Sequence, residues 1–473
     1  MNLRTATSIL GTALVGTLAS AQNAEPLGIS GSGTTNPSKC FWHIMAKLEE
    51  QIKLPSRLSY RAVGSGTGQK EFLGKGIEID GVETDNGLAY NDFGSGDIPI
   101  SEEDKTKFND MGVDFVQLPF VLSAVNFFHN IPGVPSGKMG LNMTACLLSR
   151  IFDADITEWD HADIKAINPG LNVADGYPIY VGRRVLGSSS TYSITHYLHA
   201  QCPKSDKEPK GWPEDKKASK IDWNPATNAC DGSSAMTKCI ENNEGAIGYI
   251  DAAHGIEAGL NEIRLKNGDG VFLTSAEAGD AGVQAAATDL SALPASADGD
   301  FSKVAYYNEP GANTWPISLV SYVYIRKDLS FIESPARRTL LKAFATALFD
   351  PDYIGLCDRY GHIPVPKEVR DISLAGLKLL DMGDGKEWTF EKDTMPGHGQ
   401  DDYIISQKRK SFTLYEADRL ADDIAPMAED VRQLKLELAS MKSQGVYSNA
   451  GGVKSASLAW GLGALVGITI LAL

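Results

Sequence analysis

The pattern that most constrains the fold of this chain is a repeated one. A short apolar run leads into a loop of Gly, Ser and Thr and then into a helical periodicity, first over residues 27–48 and again over residues 179–198. A third loop of this composition, residues 64–68, follows the strand-like residues 58–63. Alternation of strand-like and helix-like stretches with glycine-rich turns predicts an α/β fold.

The chemistry of these loops is that of an anion site. The first N–H groups of a helix have no backbone partner, and the helix dipole places partial positive charge there. Ser188, Ser189 and Ser190 add hydroxyl donors, and Arg184 supplies a planar fork of N–H groups suited to a tetrahedral oxyanion. The alternative is that Ser188 only caps a helix and the arginine is solvated.

A carboxylate stands among these donors. Asp97 lies in the tight Gly/Ser turn of residues 92–99, where it conflicts with an anion unless that anion carries a proton. Asp97 can accept a hydrogen bond from hydrogen phosphate and would repel fully ionised sulfate, which has no proton to offer. The alternative is an aspartate that stabilises its own turn.

Signatures of other function classes are absent from the sequence. The loops match neither a P-loop nor a dinucleotide fingerprint, and the chain contains no G-x-S-x-G or H-E-x-x-H motif. His196, His199 and Cys202 recur at a spacing of three, which a helical face explains more simply than a metal site. With 44 basic and 60 acidic residues, the net charge of -16 argues against nucleic acid as a partner. We expect no catalysis, no metal and no cofactor.

Taken in order, the loops at residues 31–37, 64–68, 93–101 and 183–198 resemble the ligand loops of the phosphate-binding proteins of bacterial phosphate ABC transporters. Further similarity lies in residues 156–159, 167–170, 244–249 and 315–317, so that the resemblance covers roughly residues 27–378. It implies a type II periplasmic-binding-protein-like fold, in which two lobes joined by hinge strands close on inorganic phosphate.

The resemblance also implies roles for individual residues. Donors from the first lobe would be Thr35, Asn36 and Ser65; Asp97 would accept the ligand proton; and donors from the second lobe would be Arg184, Ser188, Ser189 and Ser190.

The chain departs from the family pattern at three positions. Asn36 replaces an aromatic residue and Ser189 replaces a glycine, but both positions donate through the backbone N–H, so these changes are tolerable. Leu186 stands where an aspartate that braces the binding arginine is expected. Arg184 is therefore either less fixed or paired with another group.

Both ends of the chain carry targeting patterns. Residues 1–21 have the charge, apolar run and small-residue cleavage site of a secretory signal peptide. Residues 448–473 resemble a GPI-attachment signal with Ser448 or Asn449 as the lipid-bearing residue, the alternative being a retained membrane helix. Six cysteines fit an oxidising compartment, with the pairing open, and Asn142 is a glycosylation acceptor in a eukaryotic host.

The predicted organisation places the first lobe at residues 22–125 and 317–385 and the second lobe at residues 126–316, with hinge crossings at residues 116–122 and 317–325. Residues 203–220 and 276–300 are expected to be surface loops. Residues 386–447 are predicted to form a polar linker and an amphipathic helical stalk that Pro426 interrupts.

These observations predict a surface-anchored protein that captures extracellular phosphate by lobe closure, for uptake or sensing, with a surface phosphate transporter as a possible partner. One rival is a surface phosphohydrolase, which would turn over phosphate esters. Another is a structural or adhesive protein that has lost the ligand, a reading that Leu186 keeps open.

Overall fold

The computed structural model describes residues 26–430 except for residues 75–76, 80–81, 85–90, 111, 288–289, 305, 396–400, 421–422, 425 and 428–429. The predicted signal peptide, residues 1–21, and the C-terminal signal with Ser448 and Asn449 lie outside the described residues. Residues up to Arg409 form one compact unit, and those from Lys410 form a second.

The described strands all lie in the first unit. They are β1 (Leu27–Gly33), β2 (Ser56–Ala62), β3 (Ile77–Ile79), β4 (Val82–Thr84), β5 (Phe93–Gly96), β6 (Phe115–His129), β7 (Asn142–Met143), β8 (Tyr180–Arg183), β9 (Asn228–Ala229), β10 (Ala246–Asp251), β11 (Asn261–Glu262), β12 (Arg264–Lys266), β13 (Phe272–Leu273), β14 (Ser318–Arg326), β15 (Ile363–Pro364), β16 (Thr389–Glu391) and β17 (Ile404–Ser406).

The α-helices of this unit are α1 (Ser38–Gln51), α2 (Ser65–Leu73), α3 (Glu102–Asp110), α4 (Ala145–Phe152), α5 (Ala162–Ile167), α6 (Ser189–Gln201), α7 (Gly232–Glu241), α8 (Ala252–Glu257), α9 (Ser275–Ala285), α10 (Pro335–Ala347), α11 (Pro351–Ile354) and α12 (Lys367–Gly376). Short 3-10 helices occupy Gly137–Met139, Glu214–Lys216, Gly355–Tyr360 and Leu377–Leu379.

Two long antiparallel strands lie at the centre of the main sheet, whose order is β2-β1-β5-β14-β6-β10-β8-β9. β14 pairs with β6 from Ser318 opposite Ala124 to Arg326 opposite Phe115. All fifteen residues of β6 are buried, as expected for a strand that is covered on both faces. β5 continues the sheet from β14 on one side and β10 continues it from β6 on the other. This is the predicted α/β, type II two-lobed architecture with hinge strands, the lobe of β1, β2 and β5 being the first.

The buried side chains form two hydrophobic clusters, one around α1 in the first lobe and one that fills the second lobe and extends to Phe72 and Phe108 of the first. In the first lobe Phe41 of α1 packs against Tyr60 and Phe120, with ring centroids 4.7 and 5.3 Å away. In the second lobe Phe127 of β6 packs against Phe152 of α4, 5.5 Å between centroids. Full burial of such side chains contributes about 2 kcal/mol each. Rigid cores on both sides of the central strand pair fix the loops that leave each sheet.

The six cysteines form three disulfides, Cys40–Cys357, Cys146–Cys202 and Cys230–Cys239. The first joins α1 to the 3-10 helix at Gly355–Tyr360, the second joins α4 to α6, and the third closes a short loop around the start of α7. Such cross-links stabilise a fold mainly by restricting the unfolded chain. The first two disulfides thus hold α1 and the C-terminal end of α6, two helices that follow predicted ligand loops.

The expectation of a surface loop over residues 276–300 is partly wrong. Residues 275–285 form α9, which begins with a capping box between Thr274 and Glu277 and buries Ala278 and Val283. The signal was present in the sequence, because a threonine followed three residues later by a glutamate is typical of a helix start. The alanine- and glycine-rich composition concealed it.

After Ser411, the described residues of the second unit are helical, over residues 412–420 and at positions 423, 424, 426, 427 and 430. The predicted helical C-terminal region is therefore present, and Pro426 itself has helical backbone. Within the described part of the chain, none of the helices combines the length and apolar character that crossing a bilayer requires.

Candidate functional site

The first loop of the site follows β1 and leads into α1. Gly33 has φ +152° and lies so close to β5 that a Cβ would stand 1.9 Å from the carbonyl oxygen of Ser95, so only glycine fits. This close approach brings the Thr34 hydroxyl to Asp97, where it donates to Oδ2 over 2.5 Å. Thr35 is half-buried and Asn36 is buried in the same loop.

The second loop is the start of α2. Gly64 has φ +90° and Ser65 opens the helix, with its hydroxyl oxygen accepting from the backbone N–H of Asp97 over 3.2 Å. The N–H of Gly66 donates to the carbonyl oxygen of Gly187, 3.4 Å away in the second lobe. Loops of the two lobes are therefore in direct contact.

The third loop is the start of α6, where Ser188, Ser189 and Ser190 are all buried. Ser188 is the N-cap, and its hydroxyl accepts from the N–H of Thr191. Ser189 Oγ donates to Asp97 Oδ2 over 2.7 Å. Capping and site formation therefore coexist here, since one serine caps the helix while its neighbour reaches across to the other lobe.

Asp97 is the point at which these loops meet. Its carboxylate is buried and accepts from Thr34 and Ser189 on Oδ2 and from Ser321 of β14, over 2.6 Å, on Oδ1. Burial, with a smaller contribution from the charge of Asp251, raises its pKa to about 6 against the hydrogen bonds of those three hydroxyls. An ionised carboxylate can accept about four hydrogen bonds, so one more donor can be received.

Arg184 follows β8 and is 5% exposed. Its backbone N–H donates to the hydroxyl of Tyr249 over 3.1 Å, and that hydroxyl also bonds to Thr191 of α6 at 2.7 Å. Its Nε is buried without a hydrogen-bond partner. Leu186 points outward, with 47% of its surface exposed, and gives the arginine no counter-charge. Arg184 is thus a buried donor held by its backbone.

A second polar network crosses between the lobes beside the first. The hydroxyls of Thr35 and Ser233 are 2.9 Å apart, Ser233 donates to Asp251 Oδ1 over 3.2 Å, and His254 Nδ1 pairs with Asp251 Oδ2. Burial acts to raise the pKa of Asp251, but the charge of His254 prevails and holds it at about 2. The charge of Asp251 in turn raises the pKa of His254. The network therefore contains an ion pair.

Asn36 belongs to a third cluster. Its Nδ2 donates to Ser123 Oγ over 3.2 Å, and that hydroxyl lies 2.7 Å from His362 Nδ1. Burial lowers the pKa of His362 to about 4, so the ring is neutral at physiological pH. The side chain of Asn36 is thus engaged with the hinge strand β6, and its backbone N–H donates to the hydroxyl of Thr34 over 3.3 Å.

The arrangement suits binding of a protonated oxyanion, since three buried hydroxyls converge on the Asp97 carboxylate beside the starts of α2 and α6. It does not form a nucleophilic triad at Asp251, because that carboxylate lies between Ser233 and His254 instead of behind the histidine. In the described second lobe, Cys146 and Cys202 lie near Glu208, but their disulfide leaves no thiolate for a metal.

The other sequence-predicted positions lie away from this site. Asn142 is half-buried on β7, with Nδ2 donating to the carbonyl oxygen of Ile167 and Oδ1 accepting from Arg264. Its glycosylation stays a prediction. His199 pairs with Glu214 over 2.6 Å.

Sequence reasoning missed five residues that hold the site together: Thr34, Ser321, Tyr249, Ser233 and Asp251. Ser321 and Tyr249 stand in motifs that the sequence did single out, but only the fold brings them to Asp97 and Arg184. A polar residue at a buried strand position was the available signal.

A protein-family model described as the PBP superfamily domain matches residues 16–352. Among curated relatives, the phosphate-binding protein PstS of Haemophilus influenzae is 24% identical over 75% of this chain and 93% of its own length. The phosphate-binding protein PstS of Xylella fastidiosa is 25% identical over 65% of this chain and 74% of its own length.

Solved structures agree on the fold. A phosphate-binding protein from Stenotrophomonas maltophilia aligns with TM-score 0.53 and 17% identity over 73% of this chain and 92% of that one. A human phosphate binding apolipoprotein aligns with TM-score 0.55 and 18% identity over 76% of this chain and 99% of that one.

Proposed function

The chain belongs to the PBP superfamily, and from that premise we propose that it binds inorganic phosphate between its two lobes. The observation that carries the proposal is the buried Asp97 carboxylate, which receives hydroxyls from both lobes and has capacity for one more donor. Relatives that are named phosphate-binding proteins support the same ligand.

In this proposal the ligand is held by donors from both sides. Thr35, Asn36 and Ser65 donate from the first lobe; Arg184, Ser188, Ser189 and Ser190 donate from the second; and Asp97 accepts the phosphate proton. These donors replace the water that the anion loses on burial. Sulfate at neutral pH has no proton for Asp97, so the carboxylate repels it.

Lobe closure is the proposed working motion. Ser189 of the second lobe and Thr34 of the first bond to the same oxygen of Asp97, so the group that recognises the ligand also joins the lobes. A ligand that adds contacts only in the closed form shifts the population towards closure. No bond of the ligand needs to break, and we propose a carrier and not an enzyme.

The proposed setting is the outside of a cell. Residues 1–21 and 448–473 support export and membrane attachment, and three disulfides fit an oxidising compartment. Capture of extracellular phosphate for uptake or sensing, with a surface phosphate transporter as the next partner, is the function that unites these features.

The test is calorimetric titration of phosphate and sulfate into wild type, Asp97→Asn and a control, Asp92→Asn. Asp92 is a buried carboxylate of the same lobe that pairs with Arg337 and precedes β5, at the opposite end of that strand from Asp97. We expect Asp97→Asn to lose the preference for phosphate over sulfate and Asp92→Asn to keep it. An unchanged preference in Asp97→Asn would reject the proton-acceptor role.

One observation bears on a phosphohydrolase. Ser123 and His362 form a serine–histidine pair beside Asn36, but burial keeps the pKa of His362 near 4, which makes it a poor base for a hydroxyl at neutral pH. We expect no turnover of p-nitrophenyl phosphate. Turnover that Ser123→Ala abolishes would overturn the carrier assignment.

A further inference from the structure

The buried cation of the site stands without a counter-charge on its own loop. Arg184 is 5% exposed, its Nε has no hydrogen-bond partner, and among the described residues no carboxylate lies within ion-pair distance of it. The loop offers only the exposed Leu186. A buried guanidinium without a compensating charge is strongly disfavoured. The charge that compensates it therefore acts from beyond direct ion-pair contact, from a neighbouring element and from the bound anion.

The strand β10 carries the carboxylate of Asp251 towards Arg184. It runs parallel to β8, with Ile247 beside Val181, and Arg184 follows β8 directly. Tyr249 and Asp251 are two residues apart on this strand, so their side chains leave the same face. Since the Tyr249 hydroxyl receives the backbone N–H of Arg184, that face is the one turned towards the arginine.

Electrostatics agrees with this placement. Asp251 is 2% exposed, and the charge of Arg184 is among those that lower its pKa. Asp97, the other buried carboxylate of the site, is engaged by three hydroxyls and is assigned to the ligand. Asp251, which His254 keeps ionised, is thus the carboxylate whose charge acts on the arginine.

Asp251 is itself held in place. His254 pairs with Oδ2, while Ser233 donates to Oδ1 and lies 2.9 Å from the hydroxyl of Thr35 in the first-lobe loop. The carboxylate is therefore fixed on one side by an ion pair and connected on the other to the opposite lobe.

We infer that Asp251 is the positioning residue for Arg184, in the role of the carboxylate that is absent from position 186, and that through Ser233 it couples the arginine to the Thr35 loop. The inference rests on the proposed function, because it says how the same site orders its cation for phosphate. If Asp251 positions Arg184, the leucine at position 186 is compatible with phosphate binding.

The first test compares Asp251→Asn with a matched control, Glu262→Gln. Glu262 is a second buried carboxylate of the second lobe, bonded to Asn126 and Ser275 and remote from the ligand loops. By calorimetry with inorganic phosphate, we expect Asp251→Asn to bind about tenfold or more weakly and Glu262→Gln to bind as wild type does. Equal or tighter binding by Asp251→Asn, or equal losses in both variants, would overturn the inference.

A second readout needs no phosphate. In ligand-free protein labelled with ¹⁵N, the Nε–H resonance of Arg184 should shift in Asp251→Asn and stay in Glu262→Gln. A resonance that does not move would contradict the positioning role. Failure of the wild type to bind phosphate would instead reject the proposed function, and the resonance would still decide the role of Asp251.

A third variant covers the case in which Asp251→Asn does not fold. Leu186→Asp adds the missing carboxylate at an exposed position, where folding should tolerate it. If Asp251 already positions Arg184, phosphate affinity should change by less than about threefold. Tightening of about tenfold or more would mean that the arginine had no brace, and would refute the inference.

Discussion

Replacing Asp97 by asparagine should stabilise the ligand-free protein at neutral pH. The ordinary pKa of this carboxyl is 3.8, and burial raises it to about 6 in spite of three hydroxyl donors. At about 1.4 kcal/mol per tenfold change in proton affinity, the ionised form destabilises the fold by about 3 kcal/mol above pH 6. Asparagine has nearly the same shape and no charge, and the hydroxyls of Thr34, Ser189 and Ser321 can rotate to serve its amide.

The sign of the pH dependence follows from the raised pKa. The folded state holds the proton more tightly than the unfolded state, so wild type gains stability as pH falls through 6 and has gained all of it below 3.8. The stability difference from Asp97→Asn should therefore be largest above pH 7 and should shrink as pH falls through that window.

The assay is calorimetric melting of both proteins across this range after removal of ligand. Asp92→Asn serves as the control, because Asp92 pairs with Arg337 and loses that pair on substitution. A melting temperature of Asp97→Asn at or below that of wild type above pH 7, or a difference that does not vary with pH, would refute the reasoning. A gain in stability together with a loss of selectivity would mark Asp97 as a residue kept for function.

Two further predictions concern the ligand. Below about pH 6 Asp97 takes up a proton and can donate it in a hydrogen bond to an oxyanion. Displacement calorimetry should therefore show that sulfate competes better with phosphate below pH 6 than at neutral pH. Equal competition at both pH values would contradict the proposed role of Asp97 as proton acceptor. Tyr249→Phe removes the hydroxyl that accepts from the Arg184 N–H and bonds to Thr191, so phosphate affinity should fall about tenfold. The control Tyr353→Phe loses a hydroxyl that bonds to Gln51 outside the ligand loops and should lose stability only. Equal phosphate affinities of the two variants would exclude the role of Tyr249.

Local pattern accounts for much of the fold. Glycine-rich loops between strand-like and helix-like runs predicted where β1, β8 and their following helices lie, because the backbone requirements at such turns are local. The apolar residues 116–122 and 317–325 predicted the central pair because a strand buried on both faces is apolar throughout. The helix α9 was missed because its alanine- and glycine-rich composition resembles that of a loop, and the capping box at its start spans only the four residues from Thr274 to Glu277.

The contacts that form the site could not be predicted from local sequence patterns. Ser321 reaches Asp97 across 224 positions of sequence, and Thr35 reaches Ser233 across 198. Only the paired central strands and the approach of the lobes bring them together. The counter-charge of Arg184 was sought at position 186, two residues away, whereas the one that we propose, Asp251, lies on the neighbouring strand β10. Contacts between strands that are distant in sequence cannot be read from local spacing.

The most direct test of the account is a titration of phosphate into residues 22–447, which lie between the predicted signal peptide and the predicted attachment signal, after unfolding and refolding in phosphate-free buffer. The account predicts micromolar or tighter binding of phosphate that sulfate does not displace at neutral pH. No heat of binding, together with no change in melting temperature on adding phosphate, would contradict it and would favour a structural surface protein that retains the fold without the ligand.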